Sequence, residues 1–119
     1  MAHRESIIID FGEVKLPFFF GVNSTALYLE INNCDMVQYY DDIMSMIQGT
    51  GSPAIIRDLI FVGIVSGCRR DKVDFNKDKL WVGDMMDNIG EAGVKKMIQA
   101  IAESLPKSEG NTDEDKKKE

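Results

Sequence analysis

The sequence predicts an α+β fold that is mainly α: an N-terminal β-hairpin packed on a bundle of four to five helices, with a disordered C-terminal tail. Three observations predict it. Two β-favouring runs within residues 6–20 flank Gly12-Glu13, the second alternating apolar and polar side chains from Glu13 to Phe18. From 23 to 105 the apolar spacing changes to three and four. After Pro106 the segment Lys-Ser-Glu-Gly-Asn-Thr-Asp-Glu-Asp-Lys-Lys-Lys-Glu has no apolar side chain, so it cannot bury enough surface to offset chain entropy. The 119 residues therefore divide into one compact domain, 1–106, and a charged tail, 107–119.

The hairpin is expected over residues 6–20. Gly12-Glu13, a Gly-first pair, suits a tight type II′ turn. Val14, Leu16 and Phe18 alternate with Glu13, Lys15 and Pro17, so the first set should face inward. Pro17 has no N–H to donate, which makes its strand an edge or ends it there. A lone hairpin is barely stable, so it must pack on the helices.

The helices follow from capping signals and periodicity. Asn23 or Ser24 should cap a first helix through Ile31, with Leu27 and Ile31 sharing a face and Asn32-Asn33 as the break. Asp35 should cap a second, whose apolar face is Met36, Tyr40, Ile43 and Ile47. Gly49-Thr50-Gly51 ends it. Ser52-Pro53 is the strongest helix start in the chain, because proline at the first helical position gives up an N–H that had no partner anyway. The helix from Ala54 to about Ser66 is apolar almost all round, the mark of a central buried helix, and Gly67 is placed to end it. Its β-branched content would also suit a strand; its length and Ser-Pro start favour a helix. A fourth helix, capped by Asn76, is expected to about Ile89, with Val82, Met85, Met86 and Ile89 on one face. A fifth is expected from Glu91 to Leu105, with the stripe Val94, Met97, Ile98, Ile101 and Leu105.

Charge narrows the function. With 14 Lys and Arg against 20 Asp and Glu the net charge is −6, which disfavours nucleic acid and anionic membrane surfaces. The longest apolar run, Leu59 to Val65, is far short of the ~20 residues of a membrane span. Ser6-Ile7-Ile8-Ile9 is too short for a signal-peptide core. The chain reads as cytosolic.

Reactive chemistry finds little support. His3 is the single histidine and lies at the terminus, which removes histidine triads and proton shuttles. Cys34 and Cys68 form no CxxC pair. Two free thiols are the expectation, with a single bridge as the alternative. The run Asp74-Phe75-Asn76-Lys77-Asp78 opens like a calcium loop, but Lys79 stands where glycine is needed and Met85 where a bidentate glutamate is needed. Asp41-Asp42 and Asp84 with Asp87 are paired acids that read as solvated helix faces. Neither GxxxxGK[ST] nor GxGxxG occurs. No catalytic residue, cofactor or metal is expected.

Apolar surface is what remains. Strand alternation cannot place Phe18, Phe19 and Phe20 on one side, and seven methionines supply adaptable contacts. The expected partner-binding residues are Phe18, Phe19, Phe20, Met44, Met85 and Met86. Core filling is the competing use of the methionines, and self-association to a homo-oligomer is a competing use of the Phe run.

The segment Ile8 to Asn23, Ile-Ile-Asp-Phe-Gly-Glu-Val-Lys-Leu-Pro-Phe-Phe-Phe-Gly-Val-Asn, resembles the opening of tailed-phage tail assembly chaperones. The resemblance continues from Ser24 to Leu105 as a helix pattern, and the mixed-charge tail fits it. It implies a protein that binds and solubilises the tape measure protein and helps recruit tail tube subunits. Such a protein stays in the host cytoplasm and is absent from the mature virion. It also implies a longer form made by ribosomal frameshifting, for which Lys116-Lys117-Lys118 fits an adenine-rich slippery site. The alternative is a small cytosolic helical adaptor or regulatory protein that binds another protein partner.

Overall fold

A computed structural model describes residues 5–105. The charged tail, 107–119, and His3 lie outside the described residues. The fold is α+β and mainly α, in the order β1 (Ile7–Asp10), β2 (Lys15–Phe18), α1 (Val22–Asn32), α2 (Met36–Gln48), α3 (Pro53–Arg70) and α4 (Lys79–Ser104).

The hairpin turns where the sequence places it. β1 and β2 pair antiparallel with Ile7 opposite Phe18 and Asp10 opposite Lys15, which leaves Gly12-Glu13 as the two central turn residues. Gly12 has φ +87 and Glu13 is not in the positive-φ region, the type II′ pattern. Asp10 Oδ1 accepts from the Gly12 N–H at 2.8 Å and holds the turn from one side. Phe11 N–H donates to the Val14 carbonyl at 2.9 Å, so in an alternating ladder Ile8 and Pro17 form a non-hydrogen-bonded pair. Proline therefore costs the sheet no bond.

Helix α3 is the centre of the molecule and packs against β2, α1, α2 and α4. Its Leu59, Ile60, Val62 and Ile64 are fully buried. Ser52 caps it by accepting from the Ile55 N–H at 3.3 Å, with Pro53 in the first turn. Gly67 does not end the helix, which continues to Arg70. Gly63 and Gly67 instead form a bare strip on which β2 lies. A side chain at Gly63 would strike the Phe18 ring, and one at Gly67 would strike the Pro17 carbonyl and the Phe18 N–H. Across this strip the Phe19 N–H donates to the Gly63 carbonyl at 2.9 Å. The close approach also buries Pro17, which the alternation put outside.

Other starts and stops shift for local reasons. Neither Asn23 nor Ser24 caps α1. Gly21 is the N-cap, and Ser24, one turn in, accepts from its N–H at 2.8 Å and donates to its carbonyl at 3.0 Å. The buried face of α1 is Ser24 and Tyr28; Ile31 is exposed. Asn33, in the left-handed region at φ 50, ends the helix. Asp35 caps α2 and Gly49 ends it, as expected. Asp78, not Asn76, caps α4 by accepting from the Trp81 N–H at 3.0 Å. The break after Ile89 is present at Gly90, whose φ 77 and ψ 177 are open essentially to glycine alone. The expected fourth and fifth helices are thus the two arms of α4.

The core joins both layers. Ile9, Phe11, Leu16 and Phe18 of the hairpin pack with the α3 side chains and with Val82, Met97 and Ile101 of α4. Phe11 meets Trp81 edge to face at 5.9 Å, and Phe75 meets Trp81 at 5.8 Å, which ties the hairpin turn to the start of α4.

Candidate functional site

The expected partner-binding residues separate into two groups. Phe18 is 1% exposed and packs its ring 4.7 Å from Phe20, which is also buried. Met85 is buried against the core. These three hold the fold together and offer a partner nothing; residues two apart on a strand share its inner face, and the helices cover it. Phe19 points the other way and lies half-buried beneath the Arg70 guanidinium, 3.8 Å from its ring centre. Met86 is half-buried. Met44 is 50% exposed. The other methionines divide in the same manner, with Met46 and Met97 enclosed and Met36 at the surface.

The exposed apolar face lies on α1 and α2. Tyr39, Asp42, Ile43 and Met46 form the inner side of α2, so the helix is rotated away from the expected Met36, Tyr40, Ile43, Ile47 face. The cause is polar. The Tyr28 hydroxyl donates to Asp42 Oδ2 at 2.7 Å inside the molecule, and Gln38 Nε2 donates to Asp42 Oδ1 at 2.7 Å. Asp42 is therefore buried, not one of a solvated pair. Thr25 Oγ1 donates to the Tyr39 hydroxyl at 3.0 Å, and the Tyr28 and Tyr39 rings lie 5.4 Å apart. With Asp42 inside, Met36, Val37, Tyr40 and Met44 are carried outward; Val37 is 69% and Tyr40 58% exposed.

Across from them stand Val22, 85% exposed, with Ala26 and Leu29 of α1. Val22, Thr25, Ala26, Leu29, Met36 and Tyr40 line an open groove of about 470 Å³. It meets a second, of about 370 Å³, at Gly21, Thr25 and Tyr40; Phe20, Ile43 and Leu105 form the far wall. Among the described residues, tyrosine is the only ionisable side chain in either wall. Grooves beside α4 differ, because Asp87, Glu91 and Lys95 line one and Asp10 and Lys96 another. Exposed apolar surface beyond scattered single side chains is a feature of protein, ligand and membrane contact sites alike.

The titratable groups nearby are tuned by burial. Burial first, then the hydrogen bond to Asp42, pushes the Tyr28 phenol well above its ordinary value. Burial raises Tyr39 against the opposing bond from Thr25. Cys34 and Cys68 are free thiols, and burial raises both. Each shift favours the uncharged, unreactive form. Asp58, also buried, is held by Arg57 Nε at 2.9 Å. Among the described residues no group of three or more His, Cys, Asp or Glu side chains could hold a metal ion. Among them, too, no single helix is long and apolar enough to cross a membrane.

The chain matches no protein-family model, no curated protein and no solved structure.

Proposed function

We propose that this chain is a tailed-phage tail assembly chaperone, a non-enzymatic protein that binds the tape measure protein, keeps it soluble and helps recruit tail tube subunits. The observation that carries the reading is the open apolar groove lined by Val22, Ala26, Leu29, Met36 and Tyr40, with Val37 and Met44 exposed beside it on α2. A long helical protein exposes apolar faces that aggregate until a tube encloses them. A small acidic protein with an adaptable apolar face covers them, and its charge keeps the complex dispersed. Methionine suits the task, since its flexible thioether fits varied surfaces. The resemblance of Ile8 to Asn23 to the opening of such chaperones points the same way. On this reading the protein works in the host cytoplasm and leaves before the virion is complete.

Co-expression with a long helical tape measure protein, sought among the neighbouring genes, tests the reading. The helical protein should stay in the supernatant and co-purify with the chain, and should aggregate when expressed alone. A gene neighbourhood without tube and tape measure genes, together with capture of a different globular protein through the same face, would assign the chain to the adaptor alternative instead.

A further inference from the structure

The α1 and α2 face is apolar in its middle and acidic along its sides. From Leu16 to Ile56 the chain contains no Lys or Arg, yet it contains Glu30, Asp35, Asp41 and Asp42. Asp42 is turned inward onto Tyr28, and the other three are exposed. Their positions frame the groove. Glu30 follows Ala26 by one turn, so it flanks the outer side of α1 beyond the apolar strip. Asp41 follows Val37 by one turn and flanks the outer side of α2. Asp35 caps the end where the two helices are joined. Exposed acid thus lies on the outer side of each helix and at their junction, and among the described residues the groove's own lining holds no formal charge.

We propose that this groove selects an amphipathic helix whose apolar stripe is bordered by Lys or Arg. The inference rests on the chaperone reading of the same face and adds the chemistry of the segment it takes. A helix is the fitting shape. The groove is lined by α1 from Val22 to Leu29, about 11 Å, which matches roughly two turns of a partner helix laid along it. Apolar side chains at i, i+4 and i+7 of that helix would enter between Leu29, Met36 and Tyr40. Residues flanking that stripe would then lie over Glu30 and Asp41. Glutamate or aspartate there would face like charge, and lysine or arginine would be attracted. Selection by the rim acts chiefly on register and on the choice among apolar helices, since exposed ion pairs each contribute little.

Two synthetic peptides of about 18 residues test this, long enough to hold a helix. Both carry the same Leu and Ala stripe; one has Lys at every flanking position and the other has Glu. Binding to the full chain is read by fluorescence anisotropy at low and at high salt. The Lys peptide should bind about ten-fold more tightly at low salt, a difference of about 1.4 kcal/mol. The gap should shrink at high salt and shrink again in the Glu30→Gln, Asp41→Asn double variant, which touches only exposed side chains. Equal binding of both peptides would overturn the selection rule while leaving a helix-binding face in place. Binding of neither would overturn both the rule and the reading of the face.

Discussion

The hydroxyl of Tyr28 donates a 2.7 Å hydrogen bond to the carboxylate of Asp42 in the interior, and this bond sets which side of α2 is left outside. A carboxylate is buried only when its lone pairs are satisfied, and Tyr28 with Gln38 supplies both donors. Turning α2 inward at Asp42 turns Met36, Tyr40 and Met44 outward. The exposed apolar face is thus the reverse side of a helix that buries Asp42 with Tyr39, Ile43 and Met46.

Tyr28→Phe should lower stability by about 1–3 kcal/mol, because one oxygen of a buried carboxylate loses its donor while the ring still packs. Urea unfolding measures it. A loss within about 0.3 kcal/mol would show that water replaces the phenol and that the bond does not orient α2.

Stability should fall on the alkaline side. Tyr28 and Tyr39 are raised above the ordinary 10.0, and Cys34 and Cys68 above the ordinary 9.0. Above about pH 9 the unfolded chain therefore loses protons that the folded chain retains, and stability declines as pH rises. The contribution is complete below the unfolded values and disappears as pH passes the raised ones. Urea midpoints at about pH 8 and about pH 10.5 should show the drop, and Tyr28→Phe should reduce it. A midpoint that rises with pH would contradict the assignment.

Two glycines in helices should respond in opposite directions to alanine. Gly67→Ala places a methyl against the Pro17 carbonyl and the Phe18 N–H, backbone that cannot move aside. The gain of about 1 kcal/mol in helix propensity is outweighed, with an expected net loss of roughly 2 kcal/mol. At Gly83 the nearest atom is Cδ of the flexible Arg57 at 3.3 Å, so Gly83→Ala should stabilise by about 0.5–1 kcal/mol. Thermal melts of the two variants compare them directly. Equal stability at Gly67 would mean that β2 does not lie on the α3 strip.

Phe20→Ser should cost about 3–5 kcal/mol, since it empties a buried ring position beside Phe18. Val37→Ser should stay within about 0.5 kcal/mol, because Val37 is on the surface. Chemical denaturation of both variants separates the buried from the exposed members of the apolar set.

Signals confined to a few neighbouring residues were legible in the sequence. The Gly12-Glu13 turn, the caps at Asp35 and Ser52, the stop at Gly49 and the break beside Gly90 each depend on the φ preference or hydrogen-bonding reach of one or two side chains. What failed depends on partners distant in the chain. Gly67 has the composition of a helix stop, and only the passage of β2 across it explains why α3 continues. Strand alternation turns Phe18 inward, but the run of three aromatics also reads as a contact surface, and the helices that cover Phe18 and Phe20 come from later in the chain. The orientation of α2 was ambiguous: Met36, Tyr40, Ile43, Ile47 and Tyr39, Ile43, Met46 both fit a helical stripe. The choice was made by a tyrosine 14 residues upstream of Asp42. Of the expected contact residues Met44 is well exposed, and Tyr40 and Met36, which fit the apolar stripe by spacing, are exposed beside it.

The most direct test replaces Tyr40 and Met44 with serine and repeats co-expression with the proposed partner, a long helical tape measure protein. The variant should melt within a few degrees of the wild type, since both side chains are at least half exposed. It should also lose the helical protein to the insoluble fraction. A variant that folds normally and still keeps that protein soluble would contradict the claim that this face is where the chain does its work.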